Sequence, residues 1–198
     1  MRGTRAVVWC GFVAAVSLAA GGCGLFDTRN AAEPETPPQG CRPLTSGPTA
    51  AVIPNVEEFY GRSGAATCYN SMLDTSFVFH PDPQDSSQAL PQTPYVGWDE
   101  TVEEDVNSRI GSQQDFMEVD FQTEYASAII STNQEIRFYP YQLRLSLTTS
   151  PDTVRYTGRA DLTFHRGTDG QWRITDWVDH RGSVSDSTWG LLRATERP

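Results

Sequence analysis

Beyond about residue 117, this 198-residue chain places its apolar side chains at every second position. That spacing sets one face of a β-strand against a core and the other against water. Val119, Phe121, Thr123 and Tyr125 alternate with Glu118, Asp120, Gln122 and Glu124. Tyr141, Leu143, Leu145 and Leu147 alternate with Gln142, Arg144, Ser146 and Thr148, and Val154, Tyr156, Gly158, Ala160, Leu162 and Phe164 alternate with Arg155, Thr157, Arg159, Asp161, Thr163 and His165. A last strand is expected from Trp172 to about Arg181, reached through the hairpin signal Gly167-Thr168-Asp169-Gly170. Pro140 cannot donate to a ladder, so it marks a bulge or a strand edge.

Strands with one oily face need cover, and the preceding segments supply it. Val56, Phe59 and Tyr60 fall at helical spacing after Asn55, a residue suited to capping, and a second helix is expected over 65–73. Ser76 to His80 reads as a short strand stopped by Pro81 and Pro83, followed by a polar loop to Gly97. Thr101-Val102-Glu103-Glu104 then has the capping-box pattern, Val102, Val106 and Ile110 share one face, and Gly111 is the expected stop. Helices first and hairpin-linked strands afterwards predict an α+β domain, with N-terminal helices packed on a curved antiparallel sheet. A sheet half-wrapped round helices encloses a pocket.

The chain begins with Arg2 and Arg5, an apolar run from Ala6 to Ala20, and then Gly21-Gly22-Cys23. The run is too short for a transmembrane helix and suits the apolar part of a signal peptide. The arrangement resembles a bacterial lipoprotein signal, in which cleavage before the cysteine frees it to carry lipid. That resemblance implies a signal peptide over 1–22, lipidation of Cys23 with palmitate among the acyl chains, and a membrane anchor in the cell envelope. Gly24 after the cysteine favours the outer membrane in a Gram-negative cell. Residues 23–53, rich in Pro, Ala, Thr and Glu, are expected to form a flexible tether, and 54–198 a single domain.

The 15 basic residues, all arginine, are outnumbered by 25 acids, and processing would remove Arg2 and Arg5 with no acid. An exported domain this acidic repels phosphate backbones, so nucleic acid is excluded as a partner. Cys41 and Cys68 remain once Cys10 leaves with the signal and Cys23 is acylated. They either form a disulfide, as the compartment permits, or Cys68 stays free as a small apolar residue beside Tyr69, Met72 and Leu73.

Three local patterns carry a second likeness. Phe59-Tyr60 precedes Tyr69-Asn70-Ser71-Met72-Leu73-Asp74 and Phe77-Val78-Phe79; Gln171 to Asp179 closes the sheet; Thr188-Trp189-Gly190-Leu191-Leu192 forms the tail. Together with the element order they resemble the nuclear transport factor 2-like superfamily, also called SnoaL-like or cystatin-like, over about residues 54 to 194. The resemblance implies a cone-shaped fold. Its members include isomerases, cyclases, epoxide hydrolases and dehydratases, besides pocket-bearing domains without a known reaction, and many are homodimers joined through the open sheet face.

An isomerase of this kind needs an Asp base facing a Tyr across an apolar cavity. Asp176 is the candidate base, with Tyr60 or Tyr69 as its partner. It interrupts the inward-reading series Trp172, Ile174 and Val178, so either it points into the cavity or a bulge turns it outward. Asp179 and Arg181 read as a structural ion pair. His80 and Trp98 are the candidates for the pocket lining. No metal or other cofactor is expected, since His80, His165 and His180 lack ligand spacing. With no recognisable catalytic set, the leading expectation is a lipid-anchored, non-catalytic domain that binds a small apolar ligand or another envelope protein. The alternative is an isomerase or hydrolase.

Overall fold

The computed structural model describes residues 40–88, 95–148 and 152–197. The expected signal peptide, Cys23 and the first part of the tether lie outside the described residues. A short 3-10 turn at Leu44–Ser46 and a wider turn at Pro48–Val52 lead into α1 (Ile53–Phe59) and α2 (Ala66–Asn70). Then come β1 (Leu73–His80), α3 (Pro83–Gln88) and α4 (Glu100–Gln113). The meander follows as β2 (Gln114–Phe121), β3 (Ala126–Ser131), β4 (Gln134–Leu147), β5 (Thr153–Arg166) and β6 (Trp172–His180), and α5 (Trp189–Glu196) closes the domain.

The architecture is α+β, a curved, unclosed sheet with helices over one side. Its strand order is β1-β6-β5-β4-β2, with β3 also paired to β4. The expected all-antiparallel sheet is corrected in one place: β1 runs parallel to β6. A parallel neighbour requires a long crossover, and all the elements between β1 and β6 supply it. Long β4 carries β2 along residues 141–147 and β3 along 134–138. Pro140 falls between those two stretches, where Gln122 N–H donates to its carbonyl at 2.9 Å. Its missing N–H therefore faces the gap where the β2–β3 connection turns away.

Inward-facing Val119 and Phe121, Tyr139 to Leu145 by alternate residues, Ala160, Leu162, Phe164, Ile174 and Trp177 form the sheet's half of the core. Val56, Phe59, Tyr69, Val106, Ile110, Trp189 and Leu192 form the helical half. Asp99 caps α4 by accepting the Val102 N–H at 3.1 Å. Gly111 does not stop this helix, which runs on to Gln113. A Cβ there would stand 2.9 Å from the Gly61 carbonyl oxygen, so the glycine lets α4 touch the α1–α2 turn. The segment expected as polar loop holds α3, whose Asp85 is buried.

Packing begins well before residue 54, because Leu44, Ala51 and Val52 are already buried. The tether expected through residue 53 is thus corrected: its last part is a strap bound to the domain. Cys41 and Cys68 are joined by a disulfide with Cα atoms 5.5 Å apart. Asn55 is buried within α1, where it accepts the Arg42 N–H (2.8 Å) and donates to the Arg42 carbonyl (3.0 Å). It pins the strap and does not cap the helix.

Candidate functional site

Two carboxylates, Glu103 and Asp179, are buried in the interior between the sheet and its helices. Glu103 arrives on α4, on the same buried side as Val106 and Ile110. It accepts Tyr69 O–H at 2.7 Å, Trp98 Nε1–H at 2.8 Å and the Arg193 guanidinium through Nε (3.0 Å) and Nη2 (2.8 Å). Glu103 and Arg193 are both fully buried. The guanidinium carbon lies 4.3 Å from the Phe79 ring centroid and 4.1 Å from that of Trp177. Two aromatic faces and a carboxylate thus surround one cation, a geometry in which charge, hydrogen bonds and ring quadrupoles all act together. Burial pulls against the charge on Arg193, yet Glu103 holds its pKa above the usual arginine value.

Asp179, on β6, is the second carboxylate. Its Oδ1 accepts Tyr141 O–H at 2.7 Å and its Oδ2 accepts the Gly190 N–H at 2.6 Å. The Tyr141 oxygen in turn accepts the Trp189 N–H at 2.8 Å. Burial pushes the Asp179 carboxyl up to about 6, against the lowering effect of those two donors and of Arg193. Burial, with Asp179 next in effect, also holds the Tyr141 phenol well above its ordinary value.

What occupies the cone is α5. Trp189 packs edge-on against Tyr60 (centroids 4.6 Å), Trp177 (4.7 Å) and Tyr141 (5.3 Å). Thr188 caps the helix by accepting the Leu191 N–H at 3.2 Å. Asp85 of α3 bonds both to Thr188 and to Arg181, and Asp82 accepts the Arg181 N–H at 2.9 Å, so α3 latches the segment entering α5. Tyr95 O–H donates to the Gly190 carbonyl at 3.0 Å. The Gly190 N–H is the α5 donor that Asp179 accepts, whereas Trp189 Nε1 and Arg193 Nη1 are buried without a hydrogen-bond partner.

The sequence candidates divide between the two faces of the sheet. Tyr60, Tyr69 and Trp98 lie in the interior. Asp176 does not: a register shift in the β5–β6 ladder sets Phe164 opposite Ile174 but Thr163 opposite Asp176, so the bulge turns the aspartate to the outer face. The same shift brings Trp177 and Asp179 inward, reversing the expected inward place of Val178. Half-exposed His80 also lies outside, with Nε2 3.7 Å from Asp176. It does not line the interior. Arg181 pairs with Asp85 and not with Asp179.

Sequence reading missed Glu103, Arg193, Tyr141 and Asp179 as a set. Glu103 stands within the capping-box pattern, which explains an acid there without an inward role, and the bulge hides the phase of Asp179. Among the described residues no cluster of three or more His, Cys, Asp or Glu is arranged to hold a metal. A separate polar cavity of about 360 Å³ opens between Asn70, Asp74, Glu100 and Arg173, but Arg173 is already engaged by Asp169 at 2.6 Å.

No family model and no curated protein matches the chain. Solved structures do. A protein of Novosphingobium aromaticivorans assigned as a scytalone dehydratase is similar at 8% identity and TM-score 0.54, over 74% of this chain and 96% of that one. A nuclear transport factor 2-like superfamily protein of Salmonella enterica serovar Typhimurium is similar at 11% identity and TM-score 0.51, over 68% and 91%. A hexachlorocyclohexane dehydrochlorinase, LinA type 2, is similar at 6% identity and TM-score 0.51, over 70% and 85%. The domain therefore has the nuclear transport factor 2-like fold, a fold that carries both binding domains and enzymes.

Proposed function

We propose that the chain is a lipid-anchored protein of the cell envelope whose domain performs no chemistry in its cone and acts by binding another envelope protein at its surface. The observation that carries the reading is the seating of Trp189 and Arg193 inside the cone. A substrate there would have to displace a helix held by a buried ion pair and by the Gly190–Asp179 bond. On this reading Trp189 and Arg193 fill the interior that the expected small apolar ligand would otherwise take. Export is supported by the Cys41–Cys68 bridge, since disulfides persist in oxidising compartments, and by the lipoprotein-like start.

Native mass spectrometry of the full chain purified from the envelope tests both halves. The expected species is the polypeptide from Cys23 plus its acyl groups, alone or with another protein bound, and with no small-molecule mass. A co-purifying small molecule at full occupancy would overturn the filled cone. Membrane fractionation of Cys23→Ser equal to that of the unaltered chain would overturn the anchor.

One observation favours an enzyme instead. Asp179 and Tyr141 are an acid and a phenol in contact inside the cone, and a carboxyl near 6 is suited to proton transfer. On that reading α5 must swing out before substrate enters. Turnover that Asp179→Asn abolishes without unfolding the protein would establish it.

A further inference from the structure

We propose that the polar cleft beside the start of β6 receives an arginine side chain of a partner protein, its guanidinium taken up by Asp74 and Glu100. The site rests on the reading of the domain as one that binds another protein at its surface, and it names where that partner docks.

A departure from regular pairing makes room for the cleft. Leu73 of β1 lies across from Ile174 of β6, and the next partners are Val78 and Asp176, so β1 advances five residues while β6 advances two. The surplus bows β1 away from its neighbour, as a large bulge does, and Asp74 falls in the bowed stretch. Asn70 from the end of α2, Glu100 from the first turn of α4, and Gln171 and Arg173 at the start of β6 complete a lining around about 360 Å³. That volume is at the low end for ligand pockets and suits one long side chain.

The chemistry of the lining selects the occupant. Arg173 is its cation and is already engaged, since Nη2 donates to Asp169 Oδ2 at 2.6 Å and to Gln171 Oε1 at 3.2 Å. Asp74, Glu100 and Asp169 thus stand against one guanidinium, which leaves the site two charges negative. Asp74 is held through Oδ1, which accepts the Ser76 N–H at 3.0 Å and its hydroxyl at 2.8 Å, so Oδ2 faces no donor of its own chain. Asn70 Oδ1 is a further acceptor, buried without a hydrogen-bond partner. Such a lining disfavours phosphates, carboxylates and apolar groups, and it favours a cation that carries several N–H donors. A guanidinium has five in a planar fork that fits a carboxylate, whereas an ammonium is a compact, strongly hydrated charge. The net charge of −10 on the chain steers basic partners toward it.

The test titrates the full chain carrying Cys23→Ser, isotope-labelled for NMR and purified without detergent, with the peptide acetyl-Gly-Arg-Gly-amide. Saturable amide shifts are expected at residues 70–75, 100 and 171–173, with millimolar affinity that weakens as salt is raised. The citrulline peptide, which keeps the shape and loses the charge, should bind about tenfold more weakly or less, and the lysine peptide should fall between the two. These comparisons use the unaltered cleft and so do not depend on how a variant folds. Asp74→Asn with Glu100→Gln should weaken the arginine peptide by about tenfold or more and leave the melting temperature little changed, because asparagine keeps the oxygen that holds Ser76. Absence of binding, equal binding of the citrulline or lysine peptide, or shifts that fall outside the cleft would each overturn the proposal. A polyamine recovered with the native protein and lost in the double variant would overturn it in favour of a free cation. Another envelope protein bound equally by the unaltered and doubly substituted chains would overturn this site alone and leave the surface-binding reading in place.

Discussion

Glu103 and Arg193 form a buried pair in which each charge is desolvated, so each depends on the other, although Arg193 Nη1 has no hydrogen-bond partner. The carboxylate has Tyr69, Trp98 and Arg193 as donors, and the guanidinium has two rings across its faces. Arg193→Met should therefore cost about 3–5 kcal/mol, because it leaves Glu103 buried without a cation. Glu103→Gln combined with Arg193→Met should cost clearly less than the sum of the single changes, as urea denaturation of the double-mutant cycle will show. Asp179 supplies a prediction in pH. Its carboxyl sits at about 6 in the folded protein against 3.8 ordinarily, so the folded state binds the proton more tightly than the unfolded one. Stability from this group is absent at pH 7 and is gained as pH falls from about 6 to about 4, by up to about 3 kcal/mol. Subtracting the stability profile of Asp179→Asn from that of the unaltered chain isolates the gain; a flat difference over this range would remove the buried-carboxylate account.

Helices and strands meet here through close approaches that size alone permits. Gly111 lets α4 rest on the Gly61 carbonyl, and a Cβ at 2.9 Å from that backbone oxygen has no flexible neighbour to push aside. Gly111→Ala should thus destabilise by about 1–3 kcal/mol through overpacking, less the roughly 0.8–1.0 kcal/mol that alanine gains in helix propensity. A midpoint in urea shifted upward would mean that α4 does not pack as described. The same elements show what sequence can and cannot reveal. Alternation alone located β4 and β5, since Leu143, Leu145, Leu162 and Phe164 do face the core. It missed β3, because Ala126 to Ser131 packs against no core and so carries no period. It placed Asp176 by unbroken alternation as one of two outcomes, and the bulge chose the other, since a single inserted residue exchanges the two faces of a strand. The interior polar set was illegible for a different reason: Glu103, Tyr141, Asp179 and Arg193 come from four separate elements, and only the fold brings them together.

At the scale of the whole molecule, the filled cone and the strap are two answers to one difficulty. A curved sheet covered by short helices leaves apolar surface at its centre and at its margin. Helix α5 fills the centre with Trp189, and the segment from Cys41 to Val52 covers part of the margin with Leu44, Ala51 and Val52. α1 and α2, at 7 and 5 residues, are too short to hold their own conformation in water, so they depend on what lies against them. The Cys41–Cys68 bridge ties the strap to α2 across a sequence separation of 27 residues. Closing a loop of that length in the unfolded chain is expected to contribute roughly 3–4 kcal/mol. Replacing both cysteines by serine should remove that amount, read as an earlier urea midpoint. The loss should fall first on the strap and on α1 and α2, whose amides should exchange faster, while β4, β5 and β6 keep their protection. A uniform rise in exchange over the whole sheet would mean instead that the strap and the cone unfold as one unit, and that the bridge secures the domain as a whole.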